Sequence, residues 1–94
     1  MLYTEHTELE EGKFYYCVGD KVSYISTFSD LPGPDDPYTS FKYHDYWSPC
    51  SGFSGYTDTS CYADIADMQH YLLPDINSPE DVELYIKSHP ELVL

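Results

Sequence analysis

The sequence predicts a small α+β domain: a twisted antiparallel sheet of three or four strands, SH3-like in outline, closed by two C-terminal helices. Three observations predict it. Two runs rich in aromatic and β-branched residues flank Gly19-Asp20; residues 41–47 alternate large rings with polar groups; and Ser78-Pro79-Glu80-Asp81 stands ahead of the apolar positions Val82, Tyr85 and Ile86. With 94 residues the chain reads as one domain, 1–94. A domain of this size buries roughly 60–65% of the surface its unfolded chain exposes, so its core is thin.

Taken in order, residues 1–12 form a polar entry segment with Glu5, Glu8, Glu10 and Glu11. Residues 13–18 and 21–28 read as the arms of a β-hairpin, because Gly-Asp permits the backbone angles of a tight turn. In the second arm Val22, Tyr24, Ser26 and Phe28 share one face, and Ile25 and Thr27 point the other way. Residues 29–40 hold three prolines, a glycine and three aspartates, the composition of a loop. The third strand follows, with Phe41, Tyr43, Asp45 and Trp47 on one side and Lys42, His44 and Tyr46 on the other. Pro49, Gly52 and Gly55 mark residues 48–59 as a second loop, and a short strand near residues 60–63 completes the sheet. The first helix is expected to start at Asp64, with Asp67 three positions on and Ile65, Met68 and Leu72 on one face. Pro74 ends it. The second has Ser78 as N-cap, Pro79 in its first turn and Lys87 and His89 near its negative end, and it stops at Pro90.

Charge narrows the range of functions. Seventeen acidic residues face four lysines and no arginine, for a net charge of −13. Arginine is the side chain best suited to phosphate and carboxylate, and a chain this acidic is repelled by nucleic acids and anionic membranes and attracted to basic surfaces. Tyr15, Tyr24, Tyr43 and Tyr46 on a sheet suggest a base-stacking platform, but such platforms work beside a basic groove that is missing here. The aromatic share of 17% argues against disorder. No segment reaches the roughly 20 apolar residues of a membrane span, and residues 1–5 lack the basic start and apolar run of a secretion signal. A cytoplasmic protein is expected.

Catalytic and metal-binding patterns are weak. His6, His44, His70 and His89 are scattered, with neither Cys-x-x-Cys nor His-x-x-x-His spacing, so no metal or other cofactor is expected. Ser54 lies within Gly52-Phe53-Ser54-Gly55, only part of a nucleophile elbow and without the required strand-to-helix context. Cys17, Cys50 and Cys61 make an odd set that reads as three free thiols; a Cys50–Cys61 bridge across the glycine-rich loop is the alternative, disfavoured in a reducing compartment. The reading is non-enzymatic.

Small size, strong acidity, aromatic richness and a single α+β domain together resemble the phage-encoded inhibitors of host defence, the anti-CRISPR proteins and anti-restriction DNA mimics. A second, local resemblance lies in Tyr62-Ala63-Asp64-Ile65-Ala66-Asp67-Met68, which is similar to the closing helix of small phage proteins with SH3-like sheets. The resemblance implies a stoichiometric inhibitor that docks acidic faces on a basic nucleic-acid-binding host protein or complex and blocks access of DNA or RNA. The residues expected at that contact are Asp30, Asp35 and Asp36, the group Asp75, Glu80, Asp81 and Glu83, and the rings Tyr43 and Tyr46, with Trp47 as a further anchor. The alternative is a protein-interaction module that binds through an aromatic sheet patch while the charge serves solubility. A halophilic surface would also explain the scarcity of lysine, but it fits the tyrosine content poorly.

Overall fold

The strands outnumber the expectation and the helices fall short of it. The computed structural model describes residues 2–4, 8–33 and 35–90; Glu5, His6 and Pro34 lie outside them. Six strands, β1 (Leu2–Thr4), β2 (Tyr15–Val18), β3 (Ser23–Ser29), β4 (Ser40–Ser48), β5 (Gly52–Cys61) and β6 (Gln69–Leu72), precede one helix, α1 (Pro79–Ser88). They form a single sheet in the order β1-β6-β2-β3-β4-β5, every neighbouring pair antiparallel. The expected SH3-like sheet of three or four strands with two C-terminal helices is therefore corrected to one six-stranded antiparallel sheet, covered on both faces, with a single helix.

The β2–β3 hairpin forms, but its connection is the four residues 19–22 rather than a two-residue Gly19-Asp20 turn: Gly19 is not at positive φ, and Lys21 and Val22 stand in the turn instead of the strand. Cys17 pairs with Tyr24 and Val18 with Ser23, and the Gly19 amide donates to the Val22 carbonyl at 2.8 Å. α1 also forms where expected, with Pro79 in its first turn and Val82 and Ile86 buried one turn apart. Its N-terminus is secured differently from the usual cap. The Ser78 side chain makes no capping bond; instead the Asp81 carboxylate accepts the Asn77 amide at 3.0 Å.

The expected first helix does not form. Residues 62–67 make successive three-residue turns, with the Asp64 amide on the Cys61 carbonyl and the Ile65 amide on that of Tyr62. Residues 69–72 then become β6, between β1 and β2. A stretch this short is marginal as a helix. As a strand it satisfies the backbone groups of two neighbours at once, and tertiary pairing outweighs the i, i+3, i+7 spacing of Ile65, Met68 and Leu72. Ile65 and Met68 still reach the core, from the turns. The likeness of residues 62–68 to a closing helix fails on the same ground.

β5 is the other departure. The glycine- and serine-rich stretch expected to be a loop is a ten-residue strand whose side chains are mostly exposed. Gly52 sits at φ +70, the left-handed position that closes a three-residue hairpin loop after Ser48. From there β5 runs antiparallel along the whole of β4, from Ser48↔Gly52 to Ser40↔Cys61. Main-chain bonding to β4 and the β-branched Thr57 and Thr59 hold it, with little burial of its own.

Both faces of the sheet are covered. On one, Leu9, Tyr15, Cys17, Phe28, Phe41, Tyr62 and Ile65 cluster beneath the connections. On the other, Phe14, Ile25, Trp47, Leu73, Ile76, Val82 and Ile86 cluster beneath α1. Trp47 was expected on the face of Phe41 and Tyr43, and it lies on the opposite one. The register slips between Asp45 and Trp47: Asp45 pairs with Ser26 but Trp47 pairs with Ile25. The extra residue, Tyr46, is a β-bulge that reverses the pleat. Opposite it, Asp45 pairs with Tyr56 and Trp47 with Phe53, so β5 carries a further extra residue at Ser54-Gly55.

Ile86 closes the helix side of this core and is 7% exposed. Ile86→Ala should cost about 2–5 kcal/mol, the range for truncating a buried isoleucine to alanine. Urea denaturation should show the midpoint falling with an unchanged slope. A loss below about 1 kcal/mol would mean that α1 contributes little to the core.

Candidate functional site: an acidic end and a tyrosine-lined cleft

Strand directions decide where the carboxylates go. β2 starts, β3 ends, β4 starts and β5 ends at one end of the sheet. β6 also ends there, since Leu72 pairs with Tyr15 and the Leu73 amide donates to the Phe14 carbonyl at 2.9 Å. The connections leaving this end carry Glu10, Glu11, Asp30, Asp35, Asp36, Asp64 and Asp75, all exposed. They are tied together. The Leu31 amide donates to the Glu11 carboxylate at 3.2 Å, the Ala63 amide to the Pro37 carbonyl at 2.9 Å, and the Tyr62 hydroxyl to the Pro32 carbonyl at 3.3 Å. Lys13 and Lys42 also lie here; Lys42 pairs with Asp30 at 3.6 Å, both exposed.

Of the residues expected at a partner contact, Asp30, Asp35, Asp36 and Asp75 come to this end. Asp30 has φ 55, a left-handed conformation that aspartate tolerates, and Asp36 accepts the Thr39 hydroxyl. Glu80, Asp81 and Glu83 continue along α1, with Asp81 occupied by the Asn77 amide and Glu83 paired to Lys87 at 3.1 Å. Tyr43 and Tyr46 are not brought together. Tyr43 packs with the cluster around Phe28 and Phe41, its ring 6.3 Å from that of Tyr56. Tyr46 packs on the other face, 5.0 Å from Phe14 and 4.5 Å from His44.

The opposite end of the sheet has a different character. Beyond Ile25↔Trp47 the β3–β4 pairing stops, so the 19–22 turn and the 49–51 turn splay apart. A cleft of about 790 Å³ opens between them, lined by Val18, Tyr24, Asp45, Ser54 and Tyr56 among others. From the sequence, His44-Asp45 could be weighed as an orienting pair, but adjacent strand residues face opposite ways, which leaves one exposed and one at the core edge. Asp45 is half-buried, accepts the buried Ser26 hydroxyl, and lies directly across from Tyr56. Burial pushes its carboxyl above the ordinary value; the Ser26 hydroxyl and His44 pull against that shift. At the cleft margin the Tyr56 hydroxyl donates to Asp58 at 2.5 Å. That bond raises Tyr56 to about 12 and lowers Asp58.

The cysteines are settled by topology. Cys50 is in the turn before β5 and Cys61 is at its far end, so at about 3.3 Å per residue they stand roughly 30 Å apart. A disulfide needs Cα atoms within about 7 Å, which excludes the Cys50–Cys61 bridge; all three thiols are free. Burial holds the Cys17 thiol well above its ordinary value. Among the described residues no three His, Cys, Asp or Glu side chains gather to hold a metal, and no helix is long and apolar enough to cross a membrane. Comparison with protein-family models, curated proteins and solved structures gave no match to this chain.

Two outcomes follow from burial. With a thiol reagent such as Ellman's, Cys50 should react at once, Cys61 more slowly, and Cys17 only on unfolding; a single fast phase of three thiols would contradict the packing around Cys17. For Asp45 the sign is set by its raised folded value. Well below its ordinary value of 3.8 the group is protonated folded and unfolded alike and costs nothing. As pH rises past that point the unfolded chain ionises first, and the stability penalty grows until the folded carboxyl also ionises. Asp45→Asn should therefore raise Tm at pH 7, more than the exposed control Asp64→Asn does, and the advantage should vanish near pH 3. An Asp45→Asn protein less stable than wild type at pH 7 would refute this.

Proposed function

We propose that this protein is a non-enzymatic, stoichiometric inhibitor. It lays its acidic end into the basic, nucleic-acid-binding groove of a partner protein and keeps DNA or RNA out, in the manner of anti-CRISPR and anti-restriction DNA mimics. The observation that carries the reading is the segregation of charge. Connections far apart in the sequence deliver Glu10, Glu11, Asp30, Asp35, Asp36, Asp64 and Asp75, against Lys13 and Lys42, to one end of the sheet, while the connections at the opposite end hold Asp20 and Asp67 against Lys21.

Size agrees with the role. The long dimension of 38 Å is close to one turn of duplex DNA, about 34–36 Å. Such a duplex carries one phosphate charge per ~1.7 Å, so a net charge of −13 is of the order of the ligand it would displace. Long-range attraction raises the association rate, and it weakens with salt because exposed charges are screened beyond about 8 Å at physiological ionic strength.

Capture of partners from lysate, repeated with a duplex DNA or RNA competitor, tests the reading. The captured protein should be a nucleic-acid binder, released by the competitor and by high salt. A protein with Asp35→Lys and Asp36→Lys should bind it at least tenfold more weakly, about 1.4 kcal/mol. These positions are exposed, and their only side-chain bond among the described residues is the local one from Thr39 to Asp36. Binding indifferent to salt and to both reversals, but abolished by Tyr43→Ala or Phe53→Ala in folded protein, would overturn it. That result would favour the interaction-module reading, which has its own support in the exposed rings of Phe53 and Tyr56 on β5.

A further inference from the structure

We propose that the cleft between the two hairpin turns is a receptor for a single ammonium group, the side chain of a lysine carried by the basic partner, with Asp45 as counter-ion and Tyr24 and Tyr56 as its aromatic walls. The inference rests on the reading that the partner is a basic protein, and adds a second, specific contact at the end of the molecule away from the acidic connections.

Three features point to an ammonium rather than to a neutral or anionic ligand. Asp45 lies in the cleft wall, half-buried, and among the described residues the lysine ion pairs are Lys42–Asp30 and Lys87–Glu83, none of them to Asp45. One of its oxygens takes the Ser26 hydroxyl, which fixes the carboxylate and leaves the other as acceptor. Tyr24 and Tyr56 line the same cleft, and on their strands they share the sheet face of Asp45: Tyr56 is its direct cross-strand partner, and Tyr24 is two residues from Ser26, its partner on β3. A carboxylate beside electron-rich ring faces is the usual chemistry for holding an organic cation, since the ring quadrupole attracts the charge while the carboxylate neutralises it.

The walls are fixed before a ligand arrives. The Tyr24 hydroxyl is 3.2 Å from the Met68 sulfur, the Tyr56 hydroxyl is held by Asp58, and the Ser54 hydroxyl donates to the Asp45 main-chain carbonyl at 3.3 Å. The bulges that place Asp45 beside the splayed turns are of the kind that re-aim side chains at binding sites. Val18 and Pro49 add apolar wall against which a lysine stem can lie. Lys21 lines the cleft as well, from the exposed tip of the β2–β3 turn. It is the one like charge there and sets the sign of a further test.

The probe is an acetylated, amidated pentapeptide with one central lysine flanked by glycines, titrated into the labelled full chain and followed by amide and side-chain NMR. A norleucine peptide of the same length is the neutral control. The lysine peptide should give saturable shifts confined to the cleft residues, and the norleucine peptide none. Asp45→Asn, which keeps an acceptor for Ser26, should weaken the lysine peptide at least tenfold, Tyr56→Leu several-fold, and Lys21→Gln should tighten it about twofold. Equal binding of both peptides would mean an apolar groove, and shifts centred on the acidic connections would mean nonspecific charge attraction; either overturns the inference. So would Asp45→Asn binding like wild type while its spectrum shows the native fold. The Asp35→Lys, Asp36→Lys protein separates this from the function above. If it loses the partner yet binds the lysine peptide, both readings stand. If the lysine peptide fails on wild type while the reversals still abolish capture, only the cleft falls.

Discussion

The change of face between Asp45 and Trp47 is the constraint around which the molecule is arranged. β4 must serve two cores. Its first half supplies Phe41 and Tyr43 to the side covered by the connections, and its last residues supply Trp47 to the side covered by α1. A regular strand could not do this, because residues two apart point the same way. One extra residue on β4 and another on β5 make the reversal and add local twist. Without it Trp47 would leave the cluster of Ile25, Val82 and Ile86, and α1 would lose its largest contact surface in the sheet. The β3–β4 pairing runs one pair past the slip, to Ile25↔Trp47, and stops there, where the two turns diverge. The residue that docks the helix therefore also marks the inner end of the cleft.

Legibility followed the strength of local chemistry. Two β-rich runs around Gly19-Asp20 gave the hairpin, though through a four-residue connection rather than the two-residue turn expected, and Ser78-Pro79 ahead of Val82 and Ile86 gave the helix start. Where local signals were balanced, long-range pairing decided. Residues 64–72 have apolar positions compatible with a helix, yet His70 and Leu72 alternate as a strand needs, and the free edges of β1 and β2 made the strand the better partner. β5 was hidden because its glycines and serines look like loop while its stability comes from β4. The bulge could not be seen, since a pleat reversal leaves no mark in composition.

The candidate sites divide the same way. Asp30, Asp35, Asp36 and Asp75 could be named from their acidity and their place beside prolines and turns, because loop carboxylates stay exposed whatever the fold. That they share one end with Glu10, Glu11 and Asp64 is a property of strand direction. Asp45 was visible only as an acid beside His44 and among rings; its neighbours Tyr24 and Tyr56 come from strands whose register had to be known first. Tyr43 and Tyr46, both named as contact rings, lie on opposite faces of β4 as their alternation predicted, so they do not form one patch.

The outer edge of β5 bears on how the protein behaves in bulk. It is ten residues long and, among the described residues, no further strand pairs with it; it contains no lysine and no proline, and Asp58, which also takes the Thr59 amide, is its one charge, whereas lysine and proline are common guards against one sheet edge adding to another. The Ser54-Gly55 irregularity blunts only one part of it. Mutual repulsion does the remaining work, since every copy brings a charge of −13 to such an encounter. Colloidal stability is thus delegated to ionisation rather than to the shape of the edge. Acid or concentrated salt, which removes that repulsion while leaving the strand intact, turns the same surface from a solvated border into a template for sheet growth.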